Sequence, residues 1–409
     1  MSTVLDALRR AVEHGEVEAL APGYGRNAEL DASLPGSGRH RHQGRADIVA
    51  ELARWWDGPA GEATFEADVF AEGAALWTER DGVRLRHYVH FSGDLIVRHW
   101  TYSARPRGAF GGNSGAAVER RGDVIVKRVV PLDGWMGRAT RDEQGRSARL
   151  WLDGQMARLP VQLDTAIQRV EADGNGYWVH MRDISEHLLG EERRLGPDEL
   201  YAILGAAAGM HREFHGEDVP SAARLEDFLA VASPATTQRE SDEPDLAPKQ
   251  LPVGWDAFAQ AVPDDVASAV AALLDDPAPL AAALARDGLT LIHGDLRDDN
   301  LGVLGNDVFL IDWDLAAMAT PGLEVVWFML EDAWRTDVSR DEIIAEALKA
   351  ERGLLDRRGL ALGAVAGLCT FGWLLGHSAV VHPDPAERAW AQDELAFWTP
   401  FVREGIEVL

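Results

Sequence analysis

Cysteine is almost absent from this sequence, since Cys369 is the only one among 409 residues. A single thiol excludes an intrachain disulfide, and this composition is typical of proteins from a reducing compartment. Cys369 lies in an apolar run, so we interpret it as a small buried hydrophobic residue. The N-terminal residues also lack the apolar segment of a secretory signal peptide. The sequence therefore predicts a cytoplasmic protein.

Basic residues are scarce relative to acidic ones, with 40 Lys and Arg against 67 Asp and Glu and a formal net charge of −27. Such an acidic surface repels phosphate backbones, so we expect no nucleic-acid partner. The same charge suits a cationic substrate. It is equally consistent with an ordinary acidic and soluble protein, and both interpretations stay open at this point.

Long uncharged stretches are rare as well, and residues 360–381 are the one segment to weigh as a membrane span. About 20 apolar residues can cross a bilayer, and this segment contains no Asp, Glu, Lys or Arg. However, it also carries four glycines together with Thr370, His377 and Ser378. These residues favour a buried helix in a large helical lobe, and we expect no membrane partner.

The first 105 residues are predicted to form an α+β domain. Helices are expected over residues 2–15 and 44–56, with a connection containing Gly and Pro between them. Residues 83–91 alternate between apolar and polar side chains, which is the period of a half-buried strand. In all, strands are expected over residues 64–70, 74–79, 83–91 and 95–102.

This order of elements, with the segments 44–48 (Gly-Arg-Ala-Asp-Ile) and 87–91 (His-Tyr-Val-His-Phe), resembles the ketosteroid-isomerase-like cone. That fold is also called SnoaL-like or nuclear transport factor two-like. The resemblance implies a pocket, which some members use for proton transfer and others for binding or dimerisation. Tyr24, Asp31 and His87 are the candidate polar groups of such a pocket, although a satisfied core histidine is the preferred interpretation of His87. The histidines of this region lack the spacing of a metal site; they are His40, His42, His87, His90 and His99.

The strongest motif lies in the last third of the chain, over residues 291–300 and 308–314. Asp295 stands on a tight turn, Asn300 follows five positions later, and Asp312 ends a short apolar strand. Phosphoryl transfer from a nucleotide requires a carboxylate that orients the attacking hydroxyl and accepts its proton, and an amide and a carboxylate that hold Mg2+. The Asp-x-x-x-x-Asn spacing equals that of the protein-kinase catalytic loop.

The pair of motifs His-Gly-Asp-x-x-x-x-Asn and Ile-Asp-Trp resembles the aminoglycoside phosphotransferase and choline kinase-like family. The resemblance implies a two-lobed, protein-kinase-like fold that uses ATP, or GTP, and Mg2+. It implies Asp295 as the catalytic base and Asn300 and Asp312 as the metal ligands. His293 would brace the loop. Acids on the helices after the second motif often face the acceptor in this family. Glu324, Glu331 and Asp332 stand in that region, and none of them is singled out as a ligand.

A glycine-rich turn and a hairpin precede these motifs, as expected of a nucleotide-binding lobe. Backbone amides of the turn can approach phosphates, and Lys127 on the following strand can neutralise their charge. The sequence leaves the acidic partner of Lys127 open between Asp153, on a helix expected over residues 146–159, and Glu143. The candidate phosphate-binding residues are Gly111, Gly112, Asn113, Ser114 and Gly115. By resemblance, the hinge that meets the adenine consists of Val179, His180, Met181 and Arg182.

We therefore expect an α+β protein with three parts: a cone domain over residues 1–105, a β-rich small lobe over 106–185 and a helical large lobe over 186–409. The polar, Pro-rich residues 232–250 are interpreted as a mobile loop or lid near the acceptor site. His211 and His215, four positions apart, are interpreted as a packed helix end and not as metal ligands.

The predicted function is that of a small-molecule O-phosphotransferase, an ATP-dependent kinase with an alcohol group as acceptor. The acceptor would be cationic or sugar-containing, such as an aminoglycoside-type antibiotic or an amino sugar, which would make the protein an antibiotic-resistance enzyme. One alternative is a catalytically weak kinase-like scaffold whose cone domain binds a small ligand or forms a homodimer. Another is an isomerase or hydrolase centred on the cone. The sequence does not identify the acceptor or the oligomeric state.

Overall fold

The chain divides into two compact units, each with its own hydrophobic core. The computed structural model describes residues 2–34, 38–56, 58, 60, 61, 63–70, 73–80, 83–103, 117–121, 124–190, 193–243, 245, 247–382 and 384–409. The first unit comprises Met1–Gly111, Asp242–Ala247 and Val381–Pro385, and the second comprises Gly112–Ser241, Pro248–Val380 and Ala386–Leu409. The domain boundaries at residues 105 and 185 stay predictions.

The first unit packs two helices against one curved sheet. The helices are α1 (Ser2–His14) and α2 (Arg45–Trp56), and a 3-10 turn covers Val17–Gly23. The strands are β1 (Tyr24–Leu34), β2 (Gly38–Gln43), β3 (Ala63–Phe70), β4 (Gly73–Arg80), β5 (Val83–Ser92) and β6 (Leu95–Ser103). Their order is β2-β1-β6-β5-β4-β3, and only the pair β1–β6 is parallel among these described strands.

Strands β1 and β2 were not predicted, because the glycines and prolines of this region favour a connection between helices. The structure places alternate residues of β1 in the core, including Ala28, Leu30 and Ala32. Its main partner is β6, where Leu30 lies beside His99. The pairing of β1 with β6 joins segments far apart in the sequence and leaves no local signal. The antiparallel pairing of β1 with the neighbouring β2 was missed because of the glycines and prolines of this region.

The second unit begins with strands and ends with helices, which is the order predicted for a two-lobed, kinase-like domain. Its first sheet has the order β10-β11-β8-β7. These strands are β7 (Ala117–Arg121), β8 (Val124–Val129), β10 (Ile167–Asp173) and β11 (Gly176–Arg182), and the short β9 (Leu163–Asp164) joins a different sheet. Two short helices, α3 (Gly134–Ala139) and α4 (Arg146–Leu152), lie between β8 and β9. Helix α4 ends seven residues earlier than predicted, because Gly154 has a positive φ of 79° and turns the chain.

Ten helices and four short strands make up the rest of the described second unit. The strands are β12 (Thr290–Ile292), β13 (Leu301–Leu304), β14 (Asp307–Leu310) and β15 (Ala317–Ala319). The helices are α5 (Pro197–Phe214), α6 (Leu225–Leu229), α7 (Pro234–Arg239), α8 (Ala247–Ala261), α9 (Asp264–Asp275), α10 (Ala278–Leu284), α11 (Pro321–Asp332), α12 (Arg340–Glu351), α13 (Arg357–Val380) and α14 (Pro385–Glu407).

The interpretation of residues 232–250 as a mobile loop was wrong for much of the segment. Ser233 caps α7 through its side-chain oxygen, which accepts a hydrogen bond from the backbone N–H of Thr236 at 3.2 Å. After α7, the buried Glu240 forms an ion pair of 2.6 Å with Arg138. Polar residues that indicated a loop therefore cap a helix and form a buried ion pair.

Helix α13 is long and apolar enough to cross a membrane by composition, but 83% of its most apolar 18-residue window is buried in the protein. Two of its glycines permit close backbone contacts. A Cβ at Gly363 would lie 2.4 Å from the carbonyl carbon of Gly322 in α11, and one at Gly376 would lie 2.4 Å from the Cα of Phe258 in α8. The glycines that argued against a membrane span thus pack this helix against its neighbours, and Cys369 is buried on it.

Candidate active site

The predicted catalytic loop connects β12 with β13, and its geometry depends on one glycine. Gly294 has a φ of 78°, and a Cβ at this position would lie 2.3 Å from the carbonyl oxygen of Leu315. Only glycine fits such a backbone conformation and such a close approach. The Gly294 N–H donates to Glu324 Oε1 at 2.9 Å, so the turn is fixed from α11.

A buried chain of charges supports this turn. His211 of α5 lies between Glu324 Oε2, at 2.9 Å from Nε2, and Glu351 Oε1, at 2.7 Å from Nδ1. Burial disfavours the charged imidazole, but the two carboxylates outweigh burial and raise the pKa of His211 to about 10. Glu324 therefore contacts both the loop and His211.

His293 joins the loop to the strand that leads to Asp312. Its Nε2–H donates to the carbonyl oxygen of Ile311 at 3.0 Å, and its Nδ1 accepts from the N–H of Asp295 at 3.3 Å. The ring also lies 4.8 Å from that of Trp313, centroid to centroid. Burial lowers the pKa of His293, so the neutral ring acts as the brace that the resemblance implied.

Asp295 and Asn300 are in direct contact. The Asn300 Nδ2 donates to Asp295 Oδ2 at 2.9 Å and to the Asp295 carbonyl oxygen at 3.0 Å. Because the amide nitrogen faces Asp295, the amide oxygen is the atom of Asn300 that can serve a cation. Arg297 was not predicted as part of the site; its Nε lies 3.6 Å from Asp295 Oδ1.

Lys127 of β8 lies against the second motif. Its Nζ is 2.7 Å from Asp312 Oδ1 and 2.6 Å from Asp314 Oδ2. Burial disfavours the ammonium, yet the two carboxylates raise the pKa of Lys127 above its usual value. Burial raises the pKa of Asp312 to about 6, and Asp295 is close enough to contribute to that rise. The structure therefore brings Lys127, Asp295, Asn300 and Asp312 together at one place.

The two predicted partners of Lys127 take no part in this contact. Asp153 pairs with Arg149 of α4, and Glu143 is exposed. Asp314, which the sequence analysis did not consider, is the additional partner. Asp312 and Asp314 form an Asp-x-Asp pattern in the sequence. This pattern is the signal that could have indicated a second acid at the end of the strand.

Helix α4 holds Asp314 in place. The Ser147 hydroxyl donates to Asp314 Oδ1, and the Arg146 guanidinium donates to the Asp314 carbonyl oxygen. Burial would raise the pKa of Asp314, but Lys127 and Ser147 together hold this pKa below its usual value.

A further group of charges surrounds Arg335 beside the loop. Arg335 Nε donates to Asp332 Oδ1 at 2.6 Å, and a terminal nitrogen of Arg335 pairs with Asp298. Burial raises the pKa of Asp332 to about 7. The half-buried Glu331 has a pKa raised to about 8, mainly by burial and with contributions from Asp295 and other nearby acids. Of the three acids after the second motif, Glu324 contacts the turn and Asp332 contacts Arg335, whereas Glu331 lies near Asp295.

The two predicted nucleotide-binding segments differ in what the structure describes of them. The glycine-rich turn, Gly111 to Gly115, lies outside the described residues. Strand β11 carries the predicted hinge, with Val179 beside Lys127 of β8 and Met181 buried. His180 contacts Glu171, and Arg182 contacts Asp164. A role of β11 in adenine binding stays a prediction.

The donor atoms around Asp312 suit Mg2+. Within the described residues, no three or more His, Cys, Asp or Glu side chains form a ready-made metal cluster. Mg2+ is commonly held by one or two protein carboxylates together with substrate phosphates and water. An amide oxygen from Asn300 and a carboxylate from Asp312 are hard oxygen ligands of that kind, so the residues fit the predicted ion.

The candidate pocket residues of the first unit form a separate buried network. Tyr24 Oη lies 2.5 Å from His99 Nδ1, and His99 Nε2 lies 3.1 Å from His87 Nδ1. Thr78 and Thr101 bond to His87 at 2.9 and 2.8 Å. Burial lowers the pKa of His99 to about 3 and that of His87 well below its usual value. These neutral, satisfied groups agree with the interpretation of His87 as a core histidine; the Asp31 side chain lies outside the described residues.

The second unit thus has a β-rich part that supplies a lysine, and a helical part that supplies an acid–amide loop and a metal-type carboxylate. Together these features define a kinase-like phosphoryl-transfer site. The family model described as "Phosphotransferase enzyme family" matches residues 111–362. This match covers more than half of the chain, which therefore belongs to the phosphotransferase enzyme family, and the resemblance of the two motifs is confirmed.

Solved structures are similar to the chain at low identity. A choline/ethanolamine kinase family protein from Mesorhizobium loti is 16% identical, with 74% of this chain and 92% of that chain covered and a TM-score of 0.43. An aminoglycoside phosphotransferase from Streptomyces rimosus, solved with ADP and streptomycin, is 18% identical over 64% of this chain and 94% of its own, with a TM-score of 0.40. An NTF2-like protein of unknown function from Mesorhizobium loti is 14% identical over 25% of this chain and 90% of its own, with a TM-score of 0.22. No match was found among the curated proteins.

Proposed function

We propose that the protein transfers the γ-phosphate of ATP to a hydroxyl group of a small molecule. The observation that carries this proposal is the contact between Lys127 of the β-rich part and Asp312 of the helical part, at 2.7 Å and 185 residues apart. It lies beside the hydrogen-bonded pair Asp295 and Asn300. A phosphoryl-transfer site needs these four groups close together.

Asp295 would act as the base. Its carboxylate would accept the proton of the acceptor hydroxyl while the acceptor oxygen forms a bond to the γ-phosphorus. The bond from that phosphorus to the bridging oxygen breaks, and ADP leaves with the electron pair. Asn300 orients the carboxylate through its amide, and Arg297 lies beside it.

Asn300 and Asp312 would hold Mg2+, which neutralises charge on the phosphates when it is bound. Lys127 would contact the same phosphates with a full positive charge, since Asp312 and Asp314 favour its ammonium form. Charge neutralisation of this kind is the main contribution of a protein to phosphoryl transfer.

We propose a cationic or sugar-containing acceptor, such as an aminoglycoside-type antibiotic or an amino sugar, and hence a role in antibiotic resistance. The support is the net charge of −27 and the position of Glu331 close to Asp295. A cytoplasmic location and a homodimer formed through the N-terminal domain are further proposals, the first of which rests on the single buried cysteine.

A turnover screen tests the proposal. ATP and Mg2+ are supplied with a panel of hydroxyl-bearing antibiotics, amino sugars, amino alcohols and nucleosides, and ADP release is measured for each. We expect turnover with at least one acceptor, and Asp295→Asn should lose it by about 100-fold or more while ADP binding is retained. Equal rates for Asp295→Asn and the parent protein would refute the role of Asp295. A parent protein that neither binds ADP nor turns over any acceptor would refute the function.

A further inference from the structure

The charge partner of Lys127 differs from the helix glutamate that kinase-like sites commonly supply. Helix α4 has the sequence Arg-Ser-Ala-Arg-Leu-Trp-Leu and contains no acid at all. Asp153, immediately after it, pairs with Arg149. Lys127 nevertheless contacts two carboxylates. One belongs to Asp312 and the second belongs to Asp314.

We propose that Asp314 is a positioning residue that replaces the missing helix carboxylate. Ser147 and Arg146 of α4 hold Asp314 in place, and Asp314 in turn holds the Lys127 ammonium in place. This inference rests on the proposed function and names a residue that works within it. Asp314 acts through Lys127 and need not touch the nucleotide.

The two carboxylates at Lys127 are held differently. Both oxygens of Asp314 are engaged, since Oδ1 accepts the Ser147 hydroxyl and Oδ2 lies 2.6 Å from Lys127 Nζ. Its carbonyl oxygen also accepts from the Arg146 guanidinium. Asp312 contacts Lys127 through Oδ1 and is the proposed Mg2+ ligand. Asp314 can therefore stay on Lys127 when Asp312 turns to a metal ion.

The residues that hold Asp314 are themselves fixed. Arg146 and Ser147 are 2% and 4% exposed. The Arg146 backbone N–H donates to both carboxylate oxygens of Asp142 at 2.9 Å, and the Arg146 guanidinium also donates to the Thr140 carbonyl oxygen at 3.0 Å. The start of α4 is thus a rigid support, and through Asp314 it determines where the Lys127 ammonium lies.

A double-mutant cycle on ADP binding tests the action through Lys127. The affinity for ADP with Mg2+ is measured by calorimetry for the parent, Asp314→Asn, Lys127→Ala and the double variant. Loss of an orienting partner should weaken ADP binding about 10- to 100-fold in the parent background. The same change should have almost no effect in Lys127→Ala, because the residue through which Asp314 acts is gone. Equal losses in both backgrounds would overturn the inference.

Lysine labelling tests the contact without any nucleotide. The chain has three lysines, Lys127, Lys249 and Lys349, so acylation can be followed at each one by mass spectrometry. Removal of the Asp314 carboxylate should leave the Lys127 ammonium with Asp312 as its remaining partner of the two and raise its labelling rate severalfold. Lys249 and Lys349 should be labelled at the parent rate, and so should Lys127 in the matched control Asp153→Asn. An unchanged Lys127 rate in Asp314→Asn, or an equal increase in Asp153→Asn, would contradict the assignment.

A rescue variant separates a positioning role from a structural one. In Asp314→Ala, a second substitution Ser147→Glu returns a carboxylate to α4, next to the place that Asp314 occupied. We expect it to restore at least about tenfold of the lost ADP affinity. No recovery in a folded double variant would count against the inference. If the parent binds no ADP, the proposed function fails, while the labelling result still decides whether Asp314 is the partner of Lys127.

Discussion

Gly294 has the most restrictive backbone position in the candidate site. An L-residue in the left-handed region costs about 1–2 kcal/mol, and the Cβ of alanine would also lie 2.3 Å from the Leu315 carbonyl oxygen. Gly305 is a matched control, since its φ is 63° and no atom lies within 4 Å of its would-be Cβ. Both glycines have a positive φ, but only Gly294 has an atom close to its would-be Cβ. Comparing the two alanine variants therefore separates the effect of the steric clash from the effect of the backbone conformation.

We expect Gly294→Ala to lower both stability and turnover, with turnover reduced about tenfold or more because the turn that carries Asp295 must move. Gly305→Ala should cost about 1–2 kcal/mol of stability and leave turnover unchanged. Urea unfolding and the ADP-release assay measure the two effects. Turnover at the parent level in Gly294→Ala would show that the loop tolerates the displacement.

At the level of elements, His211 connects α5, α11 and α12 to the catalytic turn. His211 is a cation buried between two carboxylates. Removing it should lower the free energy of unfolding by about 3–5 kcal/mol, because the two acids are left without their partner. The series of contacts Glu351–His211–Glu324–Gly294 thus connects the three helices to the turn.

The raised pKa of His211 makes this link dependent on pH. The folded pKa of about 10 lies above the unfolded value of 6.5, so the stabilisation is complete below pH 6.5 and decreases as pH rises toward 10. The free energy of unfolding should therefore fall between pH 7 and 9.5 by up to about 1.4 kcal/mol per pH unit. His211→Gln should reduce this slope, whereas His215→Gln, at an exposed position, should keep it. A slope that is the same in all three proteins would rule out His211 as its source.

At the level of the whole molecule, the two units respond to pH in opposite ways. His87 and His99 of the first unit are buried and neutral, with folded pKa values below the unfolded value of 6.5. The unfolded chain binds protons that the folded unit cannot, so the first unit loses stability as pH falls below 6.5. His211 has no such effect in acid, because its charged form is the folded one.

Calorimetry should show this difference directly. We expect the first unit to unfold at progressively lower temperature between pH 6.5 and 4.5, with a loss of up to about 1.4 kcal/mol per pH unit for each buried histidine. The transition of the second unit should shift less, and two separate transitions should appear in acid. The variant His99→Gln should reduce the acid sensitivity of the first transition, and the partly exposed His90→Gln should not. Two transitions that move together with pH would contradict the assignment to His87 and His99.

The amount that sequence could predict depended on the distance between interacting residues. Strands β3 to β6 and the buried helix over residues 360–381 were predicted because each pattern is local. Strand β1 was missed because its partner β6 is far away in the sequence, and because glycines and prolines near its other partner, β2, favour a connection. The segment 234–239 was missed as a helix because a Ser cap followed by Pro resembles a loop when the buried pair of Glu240 with Arg138 is unknown.

The sequence by itself determined the family and the local set of groups around Asp295, Asn300 and Asp312, because these residues lie within one short loop and the strand that follows it. The fold class also followed from the sequence, through the periods of its helices and strands. Only the tertiary structure decided the partner of Lys127, since an ion pair across 187 residues depends on how β8, α4 and the end of β14 pack together. It likewise decided that Glu324 supports the turn, because the buried carboxylate accepts from the Gly294 N–H and contacts His211.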